Sequence, residues 1–301
     1  MKFGKTFNQW ANVKLNFDVW KTLTKTVLCG RNFLNIRIMH KMNFSLTYRR
    51  SSINYLRFGS GNRCLICFHG FGDRAVIWHH LDKQLGKKFT IIAIDLPFHG
   101  HTDWHEKKMQ SLDFGAIIND ILKIEGVEKC SLAGFSFGAR IVEKLLFSHG
   151  DLIENIFLFA PDGFGTKGIK NATVCPIWLR RFAHFLLQKP EKIIHLVNWL
   201  YQKKLVAKSV QWFFSQNISQ PKRRERLFFY WLNLDDFEVK QSVFKKKLQE
   251  TRINTHIFLG KHDDITPLSI GAFLTADAPN VQLHVVDSDH QILGHLPDFD
   301  V

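Results

Sequence analysis

The sequence predicts an α/β fold: a mostly parallel, doubly wound sheet with a helical segment inserted late in the chain. Three observations predict it. From Asn43 onward, short β-branched or apolar runs alternate with segments of helical period, the pattern of strands with helices packed on both faces. Some runs, such as Cys64-Leu65-Ile66-Cys67-Phe68, are apolar throughout, as a strand buried on both sides requires. Finally, the stretch between a strand ending at Ala160 and one beginning near Thr255 is far longer than an ordinary crossover, so it reads as an insertion.

The strands follow in order. An opening pair, Phe44 to Tyr48 and Ile53 to Phe58, has the spacing of a hairpin. Then come Cys64 to Phe68, Thr90 to Ile94, Cys130 to Ala133, Ile156 to Phe159, His256 to Leu259 and Val281 to Val286. Apolar residues at helical spacing place helices over Val76 to Leu85, Leu112 to Ile124, Phe137 to Phe147 and Leu268 to Leu274. The insertion, residues 163–250, carries aromatics at helical spacing, among them Trp178, Phe182, Phe185, Trp199, Trp212 and Phe213. Most are expected to form its own core. The domains are therefore a basic, peripheral extension over 1–41, a core over 42–162 and 251–301, and a helical insertion over 163–250.

A chain of 301 residues with 45% hydrophobic content can bury a full core. Its formal charge of +14 suits an anionic partner, but the charge is concentrated before Met42 and in the insertion, where a solvated basic face is the plainer expectation. No nucleic-acid-binding motif accompanies it, and no nucleic-acid partner is expected. The basic, acid-poor N-terminus resembles a mitochondrial transit peptide, while Met42, directly before the first strand, is the alternative start. No run of about 18 or more apolar residues predicts a transmembrane helix. Five scattered cysteines, Cys29, Cys64, Cys67, Cys130 and Cys175, fit a reducing compartment, and a cytoplasmic location is expected. Cys64 and Cys67 form C-x-x-C, but on a strand they point to opposite faces and share neither a metal nor a disulfide. None of the 15 histidines sits at metal-ligand spacing, so neither metal nor cofactor is expected.

The chemistry is carried by Gly134-Phe135-Ser136-Phe137-Gly138, placed after a strand and before a helix. A serine held in so sharp a turn needs neighbours without side chains, and the helix N-terminus offers its positive dipole end to a developing oxyanion. A second element, His69-Gly70-Phe71-Gly72, follows the Cys64–Phe68 run, and its glycines let the backbone approach a substrate. Acyl transfer needs two N–H donors at the tetrahedral oxyanion, here the amides of Phe71 and Phe137, with Gly70 beside the substrate. Serine also needs an imidazole to take its proton and a carboxylate to hold that imidazole. His290 and Asp263 supply them, in the chain order Ser, Asp, His, each just beyond a strand. Asp162 and Asp264 are the alternative acids.

From about Asn43 onward these residues resemble the α/β-hydrolase superfamily. Gly260 to Pro267 is similar to its acid loop, and His290 to Pro297 to its histidine loop. Asp95 to Thr102 resembles the loop after the fourth strand, with Phe98 where a small residue usually stands and with Asp95 in a structural place. Asp289 replaces the glycine usual before the histidine, and the family's last helix has no counterpart after the histidine loop, which predicts a partly uncovered sheet face. The resemblance implies a serine hydrolase of α/β-hydrolase type whose insertion is a helical cap over Ser136. Its expected substrate is a small-molecule carboxylic ester with an apolar part.

Arg140, one turn into the helix after Ser136, opens an alternative. An arginine here resembles the lyase of menaquinone biosynthesis, where it could pair with a substrate carboxylate. Ile141, Val142, Leu145 and Leu146 define the buried stripe of that helix, so Arg140, at its edge, is expected to face solvent. Carbon–carbon bond hydrolysis and cofactor-free perhydrolysis use the same three residues. A binding protein of this fold without turnover is the alternative from a different class.

Overall fold

The computed structural model describes residues 43–162, 190–206, 211 and 215–299, together with the backbone of strand β1, Val13–Leu15. The rest of the 1–41 extension, Cys29, Cys175 and the insertion aromatics Trp178, Phe182, Phe185, Trp212 and Phe213 lie outside the described residues. The other strands are β2 (Asn43–Tyr48), β3 (Ser51–Phe58), β4 (Arg63–Phe68), β5 (Phe89–Ile94), β6 (Cys130–Phe135), β7 (Ile153–Phe159), β8 (Asn254–Gly260) and β9 (Val281–Val286). They form one sheet in the order β1-β2-β3-β5-β4-β6-β7-β8-β9. The first pairings, through β3 with β5, are antiparallel, and every pairing from β5 to β9 is parallel. The order reverses at β4, with β5 on one side and β6 on the other. Loops leaving β4 and β6 therefore diverge at a switch point, where open parallel sheets form their crevice.

Helices cover the sheet: α1 (Asp82–Leu85), α2 (Ser111–Glu125), α3 (Phe137–Ser148), α6 (Gln241–Glu250) and α7 (Leu268–Thr275). Every residue of β5 and β6 is buried, as is all of β4 after Arg63, which is why these strands read as mainly apolar runs, with Thr90 and Ser131 their buried polar members. The helix expected over Val76 to Leu85 is instead a 3₁₀ helix, Ala75–Leu81, leading into the single turn of α1. Val76-Ile77-Trp78-His79-His80 has poor intrinsic helix propensity, and the fully buried Trp78 fixes the segment by packing rather than by helical hydrogen bonding. Cys64, Cys67 and Cys130 are free and buried, and burial pushes all three thiols up, so they are inert core residues.

The chain separates into two compact units. The first comprises Met1–Lys107, Ser111–Thr166 and Val239–Val301 and holds the whole sheet. The second comprises Lys108–Gln110 and Lys167–Glu238. Its described part is helical: α4 (Pro190–Gln202) and α5 (Pro221–Asn233) meet where Ile193 and Ile194 pack against Ile218 and Phe228.

On one sheet face the rings of Phe157, His256 and His284 stack in succession across β7, β8 and β9, and Phe299 leans on them. His256 Nδ1 lies 3.1 Å from His284 Nε2, so one ring donates its N–H to the other, the accepting nitrogen is unprotonated, and the two rings cannot both be charged. Burial, with His284 adding, pushes the His256 imidazole down to about 4, and burial lowers His284 as well. A depressed histidine contributes stability above its unfolded value of about 6.5 and loses it as pH falls toward the folded value. The melting temperature is therefore expected to fall between pH 6.5 and 4 by about 2–4 °C per pH unit, with a shallower slope in His256→Phe. Thermal scans of both proteins across that range check it; equal slopes would clear this pair.

Candidate active site

Ser136 joins β6 to α3 with φ 49° and ψ −116°, a strained setting for a residue with a side chain. The strain is held from both sides. Its N–H donates to the Phe159 carbonyl at 2.9 Å, and its own carbonyl accepts from Ala139 at 3.0 Å and Asp162 at 3.3 Å. Gly138 is needed for close approach, because a Cβ there would stand 1.9 Å from the Phe68 carbonyl oxygen at the end of β4.

The structure brings Ser136, His290 and Asp263 together across 154 and 27 residues of sequence. Ser136 Oγ lies 3.0 Å from His290 Nε2, and His290 Nδ1 lies 2.7 Å from Asp263 Oδ2. The carboxylate accepts, so Nδ1 carries the proton and Nε2 is left to accept from the serine hydroxyl. Asp263 is held in turn: its Oδ1 accepts the amides of Ile265 at 2.7 Å and Thr266 at 3.0 Å, and its side chain is fully buried. Gly260 lets the acid and histidine loops meet, since a Cβ there would fall 2.3 Å from the Asp289 carbonyl oxygen. Asp264 is exposed.

Arg140 corrects the solvent-facing expectation. It is only 3% exposed, and its Nε donates to Asp162 Oδ2 at 3.1 Å. The edge of the apolar stripe faces the loop after β7 rather than water, and a buried guanidinium requires an anionic partner. The same ion pair engages Asp162, the second candidate acid, and ties its loop to the helix that follows Ser136. Three residues on, Glu143 is also buried, and burial raises its carboxyl well above the usual range while Arg140 pulls the other way.

Two histidines whose roles sequence reasoning missed knit the loops beside Ser136. His69 donates from Nδ1 to the Gly70 carbonyl at 2.7 Å and accepts the Leu96 amide on Nε2 at 3.0 Å. His99 donates from Nδ1 to the Pro97 carbonyl at 2.8 Å and accepts the Gly72 amide on Nε2 at 2.9 Å. Each loop thus lends an imidazole to the other's backbone, fixing the segment that contains Gly70 and Phe71. Only the spatial adjacency of β4 and β5 creates this clasp; the His-Gly pairs in both loops were its one trace in sequence. Phe98 sits between Pro97 and His99 with φ 61°, the left-handed region where glycine is usual. Asp95 is a strut, accepting from Ala75, Asn54 and His101 at 2.7–3.0 Å. Among the described residues no group of three or more ligating side chains could hold a metal ion.

The chain is 25% identical over 260 residues to the uncharacterized hydrolase YugF of Bacillus subtilis, covering 79% of this chain and 90% of that protein. It is 22% identical over 241 residues to a 2-hydroxy-6-oxononadienedioate/2-hydroxy-6-oxononatrienedioate hydrolase of Burkholderia vietnamiensis, covering 77% and 82%. The enol-lactonase of Burkholderia xenovorans superposes with a TM-score of 0.58 at 13% identity, over 82% of this chain and 93% of that one. The match to an uncharacterized Mycobacterium tuberculosis protein, 24% identical over 116 residues, spans 38% of this chain and a third, 33%, of that protein's length. Residues 64–293 match the family described as alpha/beta hydrolase fold, which covers both loops and the elbow. With its sheet order and its strand-serine-helix turn, the chain belongs to the α/β-hydrolase fold family.

Proposed function

We propose that the protein is a serine hydrolase that cleaves a carboxylic ester through an acyl-enzyme. The observation that carries this reading is the hydrogen-bonded series Ser136–His290–Asp263, with separations of 3.0 and 2.7 Å, at the C-terminal ends of parallel strands. Ser136 Oγ attacks the acyl carbonyl as His290 Nε2 takes its proton, and Asp263 stabilises the imidazolium that results. The carbonyl oxygen, now an anion, is held by the amides of Phe71 and Phe137. Collapse breaks the ester bond, and the departing alkoxide receives the proton from His290. Water, deprotonated by the same nitrogen, then releases the acid and restores Ser136. The aromatic composition of the insertion supports an apolar acyl or alcohol part.

A panel of p-nitrophenyl esters of graded acyl length tests the reading. Turnover above the uncatalysed rate is expected, with a preference among chain lengths; none across the panel would overturn it. Carbon–carbon bond hydrolysis is the second reading, supported by the likeness to the Burkholderia vietnamiensis hydrolase, and it predicts turnover of 2-hydroxy-6-oxo dienoic acids in preference to esters. The lyase alternative has less support, because Arg140, on which it rests, already gives its Nε–H to Asp162.

A further inference from the structure

The formal charge is distributed by unit. Residues 167–238 carry thirteen Lys and Arg against five Asp and Glu, and residues 1–41 carry eight against one, which leaves the remainder of the chain at −1. Within the second unit, α4 presents two apolar stripes where one would suffice. Ile193, Ile194 and Val197 turn inward, and the two isoleucines pack on Phe228 and Ile218. Lys192, Leu196, Trp199 and Lys203 recur at i, i+4, i+7 and i+11 on another stripe, and all four are exposed, Leu196 by 54% and Trp199 by 51%.

The end of the helix adds another exposed apolar side chain. Leu205 N–H bonds the Leu200 carbonyl at 2.9 Å, and Lys204 N–H bonds the Tyr201 carbonyl at 2.9 Å, with Lys204 at φ 58°. This is a Schellman stop, in which the left-handed position is ordinarily glycine and the next residue ordinarily packs an apolar side chain back onto the helix. Here the left-handed position is lysine, and Leu205 is 67% exposed instead. A lysine at a helix C-terminus is accounted for by the helix dipole. Three large apolar side chains left in water between the lysines are not.

We propose that this face of α4 docks on an anionic lipid surface. At a bilayer interface both halves of the pattern are satisfied at once. Leu196, Trp199 and Leu205 enter the boundary of headgroups and acyl chains, with the indole at the depth that tryptophan favours. Lys192, Lys203 and Lys204 lay their alkyl stems along that surface and reach the phosphates. A dissolved polyanion would pair with the lysines and leave the apolar side chains in water, and an apolar protein groove would strand the lysines. Among the described residues no helix is long and apolar enough to cross a membrane.

Sedimentation of the full chain with phosphatidylcholine vesicles, with and without phosphatidylglycerol, tests the proposal. The wild type is expected to pellet with the anionic vesicles and to stay in the supernatant with the zwitterionic ones. Lys203→Glu with Lys204→Glu should weaken binding by about fivefold or more per charge. Leu196→Ser with Trp199→Ser should weaken it by about tenfold or more. Unchanged circular dichroism and melting temperature establish that the variants are folded, which substitutions at exposed positions should preserve. Failure of the wild type to pellet with anionic vesicles would overturn the proposal. Loss on charge reversal alone would mark a purely electrostatic attachment that leaves the apolar side chains in water, and loss on the apolar substitutions alone would mark one that does not use the lysines; either result also overturns it.

Discussion

Replacing Ser136 by alanine is expected to lower ester turnover by several orders of magnitude, down to the roughly 10³–10⁴-fold advantage over water that binding and an oxyanion hole sustain without a nucleophile. His290→Ala should fall to a similar floor, and the double variant scarcely further, because the two side chains act as one unit through a 3.0 Å hydrogen bond. A fluorophosphonate should label the wild type at Ser136 and leave Ser136→Ala unlabelled. Single-turnover kinetics on the best p-nitrophenyl ester, with mass spectrometry of the labelled peptide, measure both effects. Residual activity well above that floor would place the nucleophile elsewhere. Little stability should be lost in Ser136→Ala, since φ 49° is unfavourable for serine and alanine alike and the backbone hydrogen bonds to Phe159 and Ala139 remain.

The second large effect separates two aspartates by kind of damage. Asp263→Asn is expected to lower kcat by about 10⁴-fold with little change in melting temperature. An amide can still accept the Ile265 and Thr266 N–H groups through its oxygen. Its NH₂ then faces His290 Nδ1, which must accept, so Nε2 carries the proton and cannot take another from Ser136. Asp162→Asn should show the reverse signature: near-normal kcat, and a loss of about 1–3 kcal/mol of stability as the buried Arg140 guanidinium loses its anion. Asp264→Asn, at an exposed position, should be mild in both respects. Kinetics paired with chemical denaturation would read the two axes separately, and a collapse of kcat in Asp162→Asn would move the acid to the loop after β7.

What could be read from the sequence and what could not divide along a physical line. The strands, most helices and the strand-serine-helix turn around Ser136 were legible because each is specified within a few residues. Alternation, helical period and the glycines of a tight turn act over distances that a short window contains. The Ser, Asp, His order was legible as a series of loop positions. Pairings between distant segments depended on strand order, which no window contains. With β4 paired to β5, the His69 and Leu96 loops become neighbours, and two imidazoles with no role of their own legible in the sequence become a reciprocal clasp. The pairing of β6 with β7 turns Arg140 inward to Asp162, where periodicity alone had put it toward water. The pairing of β8 with β9 sets His256 against His284 on adjacent parallel strands. The local code determined which residues form elements and which side chains are chemically able. Tertiary structure decided which of them meet, because hydrogen bonds and ion pairs act over about 3 Å while the residues that make them stand tens of positions apart.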